Sequence, residues 1–273
     1  MSNSFNVEVV LPSGKSRRIN ELNNKQYLVI IKFCENKDFF GLSEYFNIIF
    51  LDDDLDIVDR FYLLVYARMI FVEENLTFTT KEQRNVDISL NIVLEKLESI
   101  SYSIFDKTIS HDNIDIKLGI PTALYFKDID DLYTNIIKEI IFDNEAVDFV
   151  SLNTEDRSII LDKLPVKLFE GLQQYLADLS SSAFNMTLIS ENKRLNIQEI
   201  NLNLISNGVI EFISAIYSID LRSYYDLMYA FYNKILNGSD IFSTMSPMET
   251  KIMLNIHNKA IKKQNEELKR QQK

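Results

Sequence analysis

Two histidines, a single cysteine and the run Asp52-Asp53-Asp54-Leu55-Asp56 are where this chain of 273 residues comes closest to chemistry. Nucleophilic catalysis needs a histidine in hydrogen-bond reach of a serine or cysteine, with a third group orienting the ring. His111 lies in Ser110-His111-Asp112-Asn113 between two alternating apolar stretches and reads as a loop residue. His257 falls on the terminal helix as a surface or packing residue, and no G-x-S-x-G turn is present. Cys34 ends an apolar helical run, where a free thiol behaves as a small hydrophobe. The aspartate run invites a calcium-loop reading, but the positions that would need Gly and Glu hold Ile57 and Leu63. The run reads instead as carboxylates at the start of the next helix, stabilised by its dipole. Walker A, G-x-G-x-x-G, H-E-x-x-H and C-x-x-C patterns are all absent, so no cofactor and no metal ligand set is expected. A small carboxylate-based metal-dependent hydrolase, built on Asp52 and Asp54, stays open as the enzymatic alternative.

Composition narrows the class. The net charge is −11, whereas a duplex-binding protein needs a basic footprint, so nucleic acid is not expected as the main partner. Anionic membrane surfaces are disfavoured for the same reason. One cysteine permits neither an internal disulfide nor a cysteine-based zinc site, which suits a reducing cytoplasm. The N-terminus has no basic segment followed by an apolar run, so no secretory signal is expected. The longest apolar run, Phe61 to Val72, contains Arg68 and falls short of the ~20 residues a bilayer span needs, so a soluble protein is expected.

The elements follow from periodicity. Phe5, Val7 and Val9 alternate with polar neighbours, Pro12-Ser13-Gly14-Lys15 supplies a turn, and Ser16 to Ile19 returns as a partner strand. Asn20 to Asn24 then caps a helix carrying Tyr27, Leu28, Ile31 and Phe33, and Asp38 to Leu51 reads as a second helix. Leu55 to about Val72 is apolar nearly all round and is expected to be a buried central helix, with Arg60 and Arg68 reaching for the surface or for nearby carboxylates.

From Glu73 to about Pro121 the pattern becomes β-rich. Strands are expected at Leu76 to Thr80, Val86 to Leu90, Ile104 to Ile109 and Ile114 to Leu118, with a short helix at Val93 to Ile100. Helical spacing returns from Asp128 through Leu132, Ile136, Ile137 and Ile140. Further helices are expected after the cap at Asn153 and after Pro165, then a hairpin near 185–204. Helices Gly208 to Ser218 and Leu221 to Leu236 follow, the second closed by Gly238, and a last one opens with a capping box at Ser246 and Glu249. The reading is α+β and predominantly helical: N-terminal hairpin and helices at 1–72, a small β-rich insert at 73–127, and a helical C-terminal region with one hairpin at 128–273. The last region can pack as one domain with the first.

Two stretches suggest contact rather than catalysis. Tyr224, Tyr225, Tyr229, Phe231 and Tyr232 recur at helical spacing, read as core or as an exposed aromatic interface. The final helix loses its apolar content along its length and becomes the one basic segment of an acidic protein. It reads either as a solvated end or as a partner-docking helix, with Ile261, Lys262, Lys263, Leu268, Lys269 and Arg270 as the partner-binding residues.

The words LPSGK, RRINEL and KQYLVIIKFCE within the first fifty residues, in the order strand, turn, strand and capped helix, resemble the baseplate hub and hub-assembly proteins of T-even-type contractile-tailed phages. The likeness is fainter near the C-terminus. The resemblance implies a hub subunit, or an assembly factor (chaperone) lost afterwards, acting by contact with other phage baseplate hub proteins in the host cell cytoplasm and without turnover.

Overall fold

The turn that closes the first hairpin sets the geometry of the N-terminus. In the computed structural model, which describes residues 6–51, 54–79, 85–143, 145–181, 185–190, 198–235 and 238–271, strands β1 (Asn6–Val10) and β2 (Ser16–Asn20) pair antiparallel with Val7 opposite Ile19. The Gly14 amide donates to the Leu11 carbonyl, and the Leu11 amide donates to the Lys15 carbonyl, both at 2.8 Å. Pro12 therefore occupies the second turn position, and Gly14 sits at φ +85°, where an L side chain is strained. Val9, Leu11 and Ile19 are buried while Val10 faces solvent, the alternation expected of a half-buried hairpin.

Helix α1 (Asn24–Asn36) opens with a reciprocal capping box: Asn23 accepts from the Gln26 amide, and the Gln26 side chain accepts from the Asn23 amide. Asp38 caps α2 (Phe39–Ile49). Asp56 caps α3 (Ile57–Phe71), accepting from the Val58 and Asp59 amides, so the helix begins at Ile57 rather than Leu55. Ile57, Val58, Phe61, Leu63, Leu64, Val65 and Ala67 of α3 are completely buried.

Its polar residues are buried too. Asp59 accepts from the Ser13 amide at 3.0 Å, the Ser13 hydroxyl at 2.6 Å and the Tyr102 hydroxyl at 3.2 Å. Arg60 donates to the Leu55 carbonyl and to Asn47, and Arg68 donates to the carbonyls of Ile216 and Glu73, each at 2.6 Å. Both arginines are buried rather than at the surface, and Arg68 is held by backbone carbonyls of packed elements.

A hairpin of β3 (Asn75–Thr79) and β4 (Asn85–Ser89) leads directly into α4 (Leu90–Glu98), which packs on α3. An antiparallel meander follows. It comprises β5 (Lys107–His111), β6 (Ile114–Leu118) and, after helix α5 (Ile129–Ile136), β7 (Ile137–Phe142) and β8 (Glu145–Asp148). The helical spacing read through Ile140 fails here. Ile136 ends the helix, and Ile137, Ile140 and Ile141 enter β7, with Ile116 opposite Ile140. Isoleucine favours either state locally, and pairing with β6 decides it. Likewise Tyr102–Ile104 forms a single 3-10 turn, and the strand begins only at Lys107.

Helices α6 (Thr154–Asp162) and α7 (Val166–Ser181) come next. Gly171 of α7 lies so close to β5 that a Cβ there would meet Ile109 at 2.6 Å. Strands β9 (Asn185–Ser190) and β10 (Gln198–Asn203) form the expected hairpin. The chain ends in α8 (Gly208–Tyr217), α9 (Leu221–Lys234), α10 (Gly238–Phe242) and α11 (Pro247–Gln271). Gly238 opens α10 rather than closing α9. The capping box of α11 is present: Ser246 and Glu249 exchange hydrogen bonds at 3.1 and 3.3 Å. Asn24, fully buried at the start of α1, donates to the Phe242 carbonyl and the Thr250 hydroxyl, and its own carbonyl accepts from Tyr224. The two ends of the chain are thereby joined, and the fold is α+β and predominantly helical.

Two outcomes are expected. A Cβ at Gly14 meets nothing within 4 Å, so Gly14→Val suffers from backbone strain alone. It should lower unfolding free energy by about 1–2 kcal/mol in urea titration, with Gly14→Asn losing less. Wild-type stability in the valine variant would refute the turn geometry.

Asp56 supplies the second. Burial outweighs the helix amides it accepts, and its carboxyl titrates above the usual aspartate range. A folded pKa above the unfolded one means no penalty below the unfolded value and a full penalty once pH has risen through the folded one. Asp56→Asn keeps the cap oxygen without the charge, so it should equal or exceed wild type at pH 7, the gap closing near pH ~3 where both carboxyl states are protonated. Denaturation curves at both pH values measure this. A less stable variant at pH 7 would show the anion to be a net stabiliser.

Candidate functional site

The residues with chemical potential are mostly occupied with structure. Asp54 pairs with Lys15 and Arg17 of the first hairpin, and the Arg17 hydrogen bond holds its carboxyl below the usual range. Asp56 caps α3, a carboxylate at the start of that helix as read from the sequence; Asp52 and Asp53 lie outside the described residues. Among the described residues no group of three or more His, Cys, Asp or Glu is placed to hold a metal ion. His111 is the last residue of β5, paired with Ile114, rather than a loop residue; its ring approaches Asp112 at 3.5 Å. His257 is half-buried on α11. Cys34 is buried, and that burial pushes its thiol up to about 11, so the reactive thiolate is scarce at neutral pH. Among the described residues no helix is long and apolar enough to cross a membrane.

Surfaces suited to contact are better defined. The aromatic run of α9 divides between two faces. Tyr224 and Phe231 are buried and ring-packed on Phe242, whereas Tyr225, Tyr229 and Tyr232, at i, i+4 and i+7, are more exposed, Tyr229 by 70%, although the Tyr232 ring also meets Phe242 at 5.6 Å. The core reading thus holds for Tyr224 and Phe231, and the other face leaves three tyrosines exposed.

Helix α11 is anchored through Ser246, Thr250 and Leu254, which are buried, and through Lys251, whose ammonium meets Glu73 at 2.9 Å. From Asn258 through Leu268 every side chain is exposed. Ile261 and Leu268, 41% and 55% exposed, are two turns apart on the helix side that Leu254 buries at its root. Lys262, Lys263 and Arg270 are exposed beside them, and Lys269 lies on the same turn as Leu268. The seventeen residues after Leu254 carry the helix ~25 Å beyond its last buried residue.

Periodicity gave no hint of a cleft of about 650 Å³, because four separate segments build it. One wall is α2, with Phe40, Glu44 and Asn47; the others are the 123–128 segment, the start of α5 and the face of α6 carrying Thr154, Ser158 and Leu161. Phe40 is 61% exposed, and its ring lies edge-to-face with Tyr125 at 6.1 Å. Four carboxylates (Glu44, Asp128, Asp130 and Asp131) line the space against one ammonium, Lys127. Asp128 caps α5, and Asp131 accepts from the Lys127 amide. The only signal of this site in the sequence was Asp128-Ile129-Asp130-Asp131, which reads equally as a helix start.

Residues 3–204 fit the model of the T4 bacteriophage base plate protein family. No curated protein and no solved structure matches the chain. The matched region contains the first hairpin, α3 and the whole cleft, and it stops before α8.

Proposed function

Because the chain belongs to the T4 bacteriophage base plate protein family, we propose that it is a baseplate hub subunit or a hub assembly factor, working by protein–protein contact during tail morphogenesis and without turnover. Family membership places it among proteins of the phage tail baseplate that contact one another. The observation that carries the finer reading is the exposed end of α11. A helix that leaves the body, keeps Ile261 and Leu268 uncovered and flanks them with Lys262, Lys263, Lys269 and Arg270 has the composition of a docking element. Between Lys259 and Lys273 there are six lysines and arginines and two glutamates, a net charge of +4, so the rest of the chain carries −15. Its partner surface is accordingly acidic, with apolar sockets for two side chains. Assembly takes place in the host cytoplasm. The roles of built-in subunit and departing factor use the same contact and differ in whether it persists.

Deleting Gln264 to Lys273 removes Leu268 and half of the cationic flanks while leaving every buried residue in place. The truncated chain should keep the wild-type circular dichroism and melting temperature yet co-purify with baseplate complexes from infected-cell lysate at a level reduced about tenfold or more. Undiminished co-purification would refute the docking role. Quantitative mass spectrometry of purified virions against lysate separates the two roles: a fixed copy number in virions identifies a subunit, and abundance in lysate alone identifies a factor.

A further inference from the structure

We infer that the cleft between α2, α5 and α6 is the socket for the basic end of α11 from a second copy of this chain, which names the partner of the docking helix and rests on that reading. The two surfaces match in kind. The cleft offers an aromatic pair, exposed Phe40 and half-buried Tyr125, beside Glu44, Asp128, Asp130 and Asp131. The helix end offers an apolar residue followed by two cations, twice over and seven residues apart: Ile261-Lys262-Lys263 and Leu268-Lys269-Arg270. An aromatic face next to carboxylates suits a side chain that is aliphatic along its stem and cationic at its tip.

Charge argues for the same occupant. On a chain of net charge −11, two copies repel unless a local positive surface meets a local negative one, and this helix end is the basic segment available for that. Geometry argues for a second copy rather than the chain's own cleft. The helix is continuous from Pro247 to Gln271, and among the described residues its last hydrogen bond to α9 is Lys234–Asn258, so its end presents itself outward. A free helical segment of this length is marginal in water and is stabilised by seating its apolar side chains in a groove. The resulting contact is head-to-tail, so each copy keeps one free cleft and one free helix until a ring closes or a chain grows.

A charge swap on the full-length protein tests this. One variant carries Glu44→Lys with Asp130→Lys, both on exposed positions of the cleft rim that cap no helix. The other carries Lys262→Glu with Lys263→Glu. In sedimentation velocity at ~0.05 M salt the wild type should form species larger than a monomer that dissociate at ~0.5 M, since exposed ion pairs are screened. Each variant alone should sediment as a monomer with wild-type circular dichroism, and an equimolar mixture of the two should associate again, because each reversed surface then finds its complement. A wild type that is monomeric at low salt, or a mixture that stays monomeric, overturns the inference. If the chain is monomeric and its co-purification with baseplate complexes still depends on the helix end, only this inference falls and the preceding reading stands.

Discussion

A helix with no solvent-facing side must satisfy each polar group it carries from within the protein, and α3 is that helix. Asp59 is completely buried, and Arg60 and Arg68 are nearly so. An unsatisfied buried charge costs several kcal/mol, more than most single contacts return. The surroundings of α3 are therefore dictated by bonding as well as by shape. Asp59 draws in the Ser13 backbone and hydroxyl and so fixes the first hairpin across the start of the helix. Arg68 takes the last turn of α8 through the Ile216 carbonyl, while Tyr217 returns a bond from α8 to the Leu64 carbonyl of α3. The hairpin at one end and α8 at the other are held by groups that would each be costly to expose alone.

That constraint also says which parts of the chain are structural. The region shared with the baseplate family ends at residue 204, yet the partner of Arg68 comes from residue 216. Helices α8 to α11 complete the core: Ile213, Tyr217 and Phe231 are fully buried, and Asn24 binds both Phe242 and Thr250. Only after Leu254 does the chain stop contributing buried side chains. The boundary between body and appendage thus lies within α11, fifty residues past the end of the family match.

How far the sequence discloses this depends on whether a signal is local. The turn at Pro12 to Gly14, the caps at Asn23, Asn153 and Ser246, and the buried nature of α3 are all written in neighbouring residues, and all are found. What escapes is set by distant partners. Ile137 to Phe142 carries helical spacing and becomes a strand because β6 and β8 flank it. Arg60 and Arg68 look like surface residues on an apolar helix until the carbonyls that bind them are placed. The Phe40–Tyr125 cleft is invisible for the same reason: its lining is gathered from positions between 40 and 161, and no window of sequence contains it.

The division of charge follows from the division of labour. A body whose core is closed by buried hydrogen bonds has its acids free for the surface, where −15 keeps copies and neighbours apart in solution. Cations within such a body are drawn into local pairs, as Lys15 and Arg17 are with Asp54, or into carbonyl cages, as Arg68 is. Positive charge that is to remain available must therefore lie beyond reach of the body's own carboxylates. Along α11, Lys262 and Arg270 stand ~12 Å and ~24 Å from the last buried residue, about one and a half and three Debye lengths at physiological salt. Under the docking role proposed for α11, its length is what keeps its cations from being neutralised before a partner arrives.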